Sequence, residues 1–294
     1  MTKPVVIIDI TAILFRMYFA KMQHQTPEGL EVGGVWGVLT TLKRLRKEMK
    51  PAYIAAVFDA GMKTFRNDIC EDYKSNRGSP PEDLIPQFDL SYRLCTELGI
   101  PSFRMPGFEA DDVMASLATL ACTQQVPVQL VTVDKDLNQL VKDDFPSVVR
   151  IDFFKKQVVT RNVVKDSMGV FPEQCVDYLA LVGDAVDNIS GVRGIGPKTA
   201  RELLNRFGSL DNIYENLHHL YEKKWVRIRA LLEEGRDKAY LSQKLVTLKS
   251  DIDFSNQITD FQEDLIWKDS DSYHFLKTLG LQRYASDRDL FCLP

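Results

Sequence analysis

Val5-Val6-Ile7-Ile8-Asp9 is a short apolar, mostly β-branched run closed by an aspartate, and the chain repeats the device in Tyr53-Ile54-Ala55-Ala56-Val57-Phe58-Asp59 and Val128-Gln129-Leu130-Val131-Thr132-Val133-Asp134. Helical patterns lie between these runs. From Val35 to Met49 the apolar residues Val35, Val38, Leu39, Leu42, Leu45 and Met49 fall opposite Lys43, Arg44, Arg46 and Lys47. Ala110 to Ala121 is a second such pattern, rich in Val, Met, Leu and Ala. Continuous apolar strands separated by amphipathic helices predict an α/β fold with a central, mainly parallel sheet covered by helices on both faces. No Gly-x-Gly-x-x-Gly turn follows any strand, which leaves a dinucleotide site without support.

After about Thr160 the character changes. Strand-like runs become scarce, and turn signals recur at Gly169, Gly183, Gly191, Gly208 and Gly235. The expected organisation is an α/β core over residues 1–160 and a helical region over 161–294. Between them in style is YKSNRGSPPEDLIP, residues 73–86, a polar, proline-rich stretch that reads as a mobile loop or a helix formed only in some states. With 294 residues, 45% hydrophobic and 27% charged, the composition is that of an ordinary globular protein. No apolar run reaches the roughly 20 residues that span a membrane, and no secretory signal is expected from the start of the chain. Cys70, Cys95, Cys122, Cys175 and Cys292 are odd in number and never spaced as Cys-x-x-Cys, which argues for buried free thiols in a reducing cytoplasm.

The acids carry the chemistry. Asp9, Asp59 and Asp134 each end a strand, and ligand crevices of open α/β sheets lie at the carboxyl ends of the strands. One such aspartate is an ordinary turn residue; three are hard to ascribe to chance. Glu109, Asp111 and Asp112 open a helix, where the bland reading is complementation of the helix dipole. Asp136 lies two residues beyond Asp134, and Asp184 and Asp187 stand three apart in LVGDAVDNI. Nine carboxylates converging on one crevice would repel strongly unless cations occupy it. An oxygen-only donor set points to two magnesium ions, with manganese as a substitute, rather than zinc. Paired ions of this kind serve in-line phosphodiester cleavage, one activating water and the other stabilising the leaving oxygen. The formal charge of −4 argues against nucleic acid taken alone, yet setting aside the nine acids leaves 32 against 37 basic residues, a balance of +5.

A second signal is Gly191-Val192-Arg193-Gly194-Ile195-Gly196-Pro197-Lys198-Thr199-Ala200. Two glycines around an apolar residue, then proline at a helix start, form the pattern of a helix-hairpin-helix, here near residues 191–206. Gly194 and Gly196 let backbone approach phosphate, and amides at the next helix N-terminus hold its oxygen. Lys198, Thr199, Arg201 and Arg206 stand nearby. A plain Gly-Pro turn is the competing reading. Nothing in the motif is aimed at base edges, so it predicts sequence-independent binding.

The stretches VVIIDITAILFRMYFA, AAVFDAGMKTFRNDICEDYKSNR, GFEADDVMASLA, VTVDKDLNQLV and LVGDAVDNISGVRGIGPKTA resemble, in order and over nearly the whole chain, the 5′-nuclease domain of bacterial DNA polymerase I within the wider flap endonuclease family. The resemblance implies a PIN-like fold and metal-site positions at Asp9, Asp59, Glu109, Asp111, Asp112, Asp134, Asp136, Asp184 and Asp187. It further implies that Lys74 and Arg77 contact the scissile phosphate from the base of a mobile arch near residues 73–90, that Tyr73 stacks near the displaced 5′ nucleotide, and that Arg66 contacts DNA. Read without it, Lys74 and Arg77 would be a solvated basic pair. One departure is Ile10 after Asp9, where the family usually has glycine; a β-branched residue there suits an extended backbone.

The implied activity is that of a structure-specific 5′-nuclease, exonuclease and flap endonuclease, acting in DNA replication and repair. Its expected partners are flaps and other branched or 5′-ended DNA, RNA-primed duplex included, with a potassium ion at the hairpin as a further expectation. A monomer associated with the nucleoid in the cytoplasm is expected. Two readings compete with it: a PIN-type ribonuclease, which shares strand-end carboxylates but is usually shorter and lacks the hairpin, and a non-catalytic branched-DNA-binding protein, in which several of the acids would be replaced.

Overall fold

The computed structural model describes residues 3–268 and 270–285; Cys292 lies outside them. In chain order the elements that frame the site are β1 (Val5–Asp9), α1 (Ile10–Phe19), α2 (Gly33–Met49), β2 (Tyr53–Phe58), α3 (Phe65–Ile69), α4 (Ile85–Glu97), β3 (Ser102–Arg104), α5 (Ala110–Thr123), β4 (Val128–Val131), β5 (Val148–Asp152) and β6 (Gln157–Val159). The helices that follow are α6 (Arg161–Met168), α7 (Cys175–Val182), α8 (Pro197–Phe207), α9 (Leu210–Glu215), α10 (Lys223–Glu234), α11 (Arg236–Val246), α12 (Phe261–Asp264) and α13 (Tyr273–Thr278).

The six strands run in the order β3-β2-β1-β4-β5-β6, the first five parallel and β6 antiparallel to β5. Strand period explains the layering, because successive side chains leave opposite faces. Val6, Ile8, Ile54, Ala56, Phe58 and Val131 pack with α1, α2 and α4 on one face. Val5, Ile7, Ala55, Val57, Val128 and Leu130 pack with α5 on the other. Burial on both faces is why these strands read as unbroken apolar runs. The order reverses between β1 and β4, so the crevice beyond their carboxyl ends is the switch point where such sheets bind ligands.

Ile10 does not continue the strand. It is the first residue of α1 and is fully buried, with Asp9 as the extended N-cap. The stretch 73–86 is not wholly peripheral either: a series of turns precedes α4, and Tyr73 and Leu84 are buried within it. Among the described residues no helix stands between α3 and α4 to form an arch. No helix of the described residues is long and apolar enough to cross a membrane.

The helical second half has a core of its own, built from α6 to α11 around Val164, Leu181, Leu203, Leu204, Ile213 and Leu232. It does not include the described residues beyond about 249. Phe254, Phe261 and Leu265 return to one face of the sheet, and Trp267, Phe275, Leu276 and Leu279 to the other. Ile54 N donates to Leu265 O at 2.7 Å, and Trp267 Nε1 to Leu98 O at 2.8 Å. Of the helical region expected over 161–294, the described residues from about 249 to 285 therefore pack with the α/β core and not with α6 to α11.

Arg66 makes the junction. It is 1% exposed, so it cannot touch DNA as the resemblance implied. Its guanidinium forks onto Asp112, Nη1 to Oδ2 at 2.6 Å and Nη2 to Oδ1 at 2.8 Å, while Nε donates to Leu245 O at 2.7 Å and Nη2 to Thr247 O at 3.1 Å. Asp112, 0% exposed, also accepts from Lys249 N at 2.9 Å and Glu109 N at 3.2 Å. With both oxygens committed beneath the crevice, Asp112 is a structural counterion and not a metal-facing acid. One buried ion pair thus ties α3, α5 and the exit of α11 together. Losing one partner of such a pair leaves a buried charge uncompensated, at a cost of about 3–5 kcal/mol. Asp112→Ala is accordingly expected to lower unfolding free energy by that amount in urea titrations; an unchanged midpoint and slope would remove the pair from this role.

Candidate active site

Each acid is delivered by an element end. Asp9 closes β1 and caps α1, its Oδ1 accepting from Ala12 N at 2.8 Å; its Oδ2 accepts from the Thr132 hydroxyl at 3.0 Å. Asp59 follows β2, with Oδ1 accepting from Ala110 N at 2.8 Å and its own amide donating to Thr11 Oγ1 at 3.0 Å. Glu109 and Asp111 stand at the start of α5. Asp134 lies just past β4; its amide donates to Thr132 Oγ1 at 3.0 Å and its Oδ1 accepts from Asp136 N at 2.9 Å. Asp184 and Asp187 come from the helical half, on a tight turn closed by reciprocal backbone bonds between Asp184 and Ile189 of 2.8 and 2.7 Å. The turn brings them to the carboxyl edge of the sheet.

The electrostatics report that these groups feel one another. Burial pushes the Asp9 carboxyl up to about 7, and the charges of Asp59 and Asp134 add to it. Asp136 is likewise raised to about 7 by burial, then by Asp134, Asp184 and Asp187. Asp111 is raised well above the usual carboxylate range by burial and by Asp134, Asp9, Asp136 and Asp59. Asp59, open to solvent on one side and enclosed on the others, is raised by that enclosure and by Glu109. Eight of the nine predicted acids therefore share a crevice; Asp112 does not.

Cations from the chain compensate one flank. Lys74 Nζ donates to Glu109 Oε1 at 2.7 Å and lies 3.4 Å from Asp187 Oδ2, and Arg77 pairs with Asp187 Oδ1. Burial alone would pull the Lys74 ammonium down, but Glu109 and Asp187 outweigh it and the net shift is upward. Tyr73 is 4% exposed, and its hydroxyl donates to Glu109 Oε2 and Asp187 Oδ2, both at 3.1 Å. It is locked into the wall of the crevice and presents no face for stacking on a nucleotide, contrary to what the resemblance implied.

The donor chemistry, oxygen only and anionic, fits a hard divalent cation. As placed, no three His, Cys, Asp or Glu side chains of the described residues enclose a common point closely enough to coordinate an ion. Several are instead turned into hydrogen bonds with Ala12, Ala110, Thr132 and Lys74.

The hairpin 191–196 joins the Asp184–Ile189 turn to α8. Gly194 adopts φ +86°, a conformation side chains rarely take, whereas Gly196 is the N-cap of α8 at φ −95° with open space where a Cβ would stand. The fold itself thus requires glycine at 194 but not at 196. Lys198 is exposed and Thr199 half-buried in the first turn of α8. Arg201 is less available, since its Nε donates to Met168 O at 2.6 Å and binds α8 to α6.

Residues that the sequence reading passed over include Thr11 and Thr132, whose hydroxyls hold Asp59 and the Asp9–Asp134 pair, and Asn138 and Arg150, which brace the loop after β4. Arg150 Nε donates to Asn138 Oδ1 at 2.7 Å and Nη1 to Thr132 O at 3.2 Å. The available signal was a hydroxyl next to an acid-bearing strand end, which in isolation is unremarkable.

Comparison with known proteins gives this crevice a lineage. Residues 4–169 match the family model of the 5′-3′ exonuclease N-terminal resolvase-like domain, and 170–269 that of the 5′-3′ exonuclease C-terminal SAM fold. A 5′-3′ exonuclease of Buchnera aphidicola is 34% identical over 264 residues, covering 87% of this chain and 90% of that protein. A DNA polymerase I of Rhizobium leguminosarum is 37% identical over 84% of this chain but only 24% of its own length. Among solved structures, the bacteriophage T5 flap endonuclease in a pseudo-enzyme-product complex with DNA and metal ions is 25% identical and superposes with a TM-score of 0.69 over 84% of this chain and 90% of that one. With both family models matched end to end across the sheet and the helical half, the chain belongs to the 5′-3′ exonuclease family.

Proposed function

We propose that the chain is a divalent-metal-dependent nuclease that hydrolyses phosphodiester bonds at 5′ ends and flaps of DNA during replication and repair. The observation that carries this reading is the gathering of eight carboxylates from five separate element ends beside Lys74 and Arg77; four of these acids, Asp9, Asp59, Asp111 and Asp136, are raised by burial and by their neighbours' charge. The family, and a T5 relative solved with DNA and metal ions, support it.

Asp9, Asp59, Asp111, Asp134 and Asp136 would hold ions at the sheet edge, with Glu109, Asp184 and Asp187 facing them from α5 and the helical half. Two magnesium ions bound there, or manganese in their place, would supply Lewis-acid activation of water and charge stabilisation at the leaving oxygen. Lys74 and Arg77 then turn from the acids to the scissile phosphate and offset the charge that develops on its oxygens. The hairpin at Gly194 and Gly196, with the α8 N-terminus, Lys198 and Thr199, grips duplex phosphates without reading bases.

Three measurements test the reading. Asp134→Ala should lower cleavage of a 5′-flap substrate by orders of magnitude while the circular dichroism stays native; wild-type turnover would sink the assignment. The second is thermodynamic. A carboxyl raised in the folded state stabilises it fully below about pH 4 and loses that contribution as pH climbs through the folded value, here about 7 for Asp9 and Asp136. Metal-free protein should therefore melt at lower temperature at pH 8 than at pH 5.5, and magnesium should restore more at pH 8. A Tm indifferent to both would contradict a cation site. Third, Lys74→Ala should bind flap DNA nearly as well as wild type in calcium yet cleave about 10²–10³ more slowly in magnesium, the usual cost of one preorganised donor. Single-turnover cleavage within a few-fold of wild type would make Lys74 only a counterion of Glu109 and Asp187 with no part in the chemistry.

A further inference from the structure

Two turns face each other across the crevice wall, and both contain a non-glycine residue in the left-handed region. Lys74 has φ +56° and Asn188 has φ +58°. They are laced together. The Asn188 amide Nδ2 donates to Asp72 O at 2.8 Å and to Ser75 Oγ at 3.0 Å, so it brackets Lys74 from both sides in sequence. Lys74 N donates to Asp187 O at 3.0 Å, and Asn76 Nδ2 to Ala185 O at 2.8 Å.

We propose that Asn188 is a positioning residue for cleavage: its side-chain amide fixes the Lys74 turn against the Asp184–Ile189 turn, and so sets where the Lys74 ammonium stands relative to the carboxylates and to the hairpin that follows. The inference rests on the phosphate-facing role of Lys74 proposed above. It goes beyond that role in naming what holds the lysine in place.

Two features separate this from a purely local role. Asparagine is tolerated at positive φ better than most residues, which alone would account for it at this position. That explanation makes no use of the side chain, yet here the amide spans two residues of a different segment. Asn188 is also exposed, so its hydrogen bonds contribute little to global stability, while placement of a reacting group is sensitive to shifts of about 1 Å. Position is also coupled to the duplex grip. Gly191 follows Asn188 by three residues and packs on Gly183, where an added Cβ would meet Gly183 N at 2.4 Å. The Lys74 turn, the acid turn and the hairpin are thus one connected piece, which fixes the distance from grip to cut.

Asn188→Gly isolates the amide, because glycine adopts the same backbone without strain. The variant should keep its melting temperature and its affinity for flap DNA in calcium, and lose roughly 10-fold to 100-fold in single-turnover rate in magnesium. The loss should largely vanish when Asn188→Gly is made in a Lys74→Ala background, as expected of two residues acting through one group. A rate within twofold of wild type, or an equal loss in both backgrounds, overturns the proposal. Amide hydrogen exchange supplies a readout that needs no catalysis: exchange at Lys74 N, bonded to Asp187 O, should quicken in Asn188→Gly, and unchanged protection would also overturn it. Should the wild-type protein itself fail to cleave, the nuclease reading falls while the exchange result still decides the role of Asn188.

Discussion

Like charges gathered at one end of a sheet repel, and the surrounding structure is arranged to tolerate that repulsion. Donors are built into the element ends: Ala12 N and the Thr132 hydroxyl serve Asp9, Ala110 N serves Asp59, and Asp136 N serves Asp134. Asp112 and Arg66 lie underneath as a closed pair, so the acid nearest the core adds no net charge to the crevice. Lys74 and Arg77 neutralise one flank. What remains is relieved by upward-shifted carboxyls, which is a cost to the folded state. Sites that store strain or unfavourable charge are where function tends to be found.

Much of this was legible in the sequence because it follows from periodicity and position. The three apolar runs and their closing aspartates gave β1, β2 and β4, and the amphipathic patterns gave α2 and α5 to within a few residues. The short strands β3, β5 and β6 were missed because Ser102-Phe103-Arg104, Val148-Val149-Arg150-Ile151-Asp152 and Gln157-Val158-Val159 hold no apolar run longer than two residues, too little pattern to be distinguished from loop. Asp112, Arg66 and Tyr73 were misplaced for a different reason. A motif places residues near a site but does not say which way a side chain points, and a one-residue step along a helix separates Asp111, facing the crevice, from Asp112, facing the core. The return of Phe254 to Leu279 onto the sheet was invisible because hydrophobic pattern records that a face is buried, not against what.

The helical half also supplies part of the crevice. Asp184 and Asp187 sit on a turn that continues directly into the hairpin, so the acid-bearing segment and the segment proposed to bind phosphate share one backbone. Gly183 and Gly191 pack so closely that neither can gain a side chain without moving the other's strand of the turn. A displacement of the hairpin would then be transmitted to the acids rather than absorbed by slack in the loop. Under the proposed function, this would couple recognition of duplex to assembly of the crevice by geometry alone.

Tyr73 shows why the neutral and cationic donors of the wall are the residue types they are. Its hydroxyl lies between Glu109 and Asp187, and burial together with those two charges raises its pKa far above the ordinary tyrosine range. It therefore remains a donor at any pH the protein meets. A histidine in the same place could lose its proton near neutrality and leave a carboxylate without a partner. Lys74 and Arg77 are likewise held protonated by the acids they face. Tyr73, Lys74 and Arg77 thus each keep one protonation state, while burial and neighbouring charge raise the carboxyls of Asp9 and Asp136 to about 7.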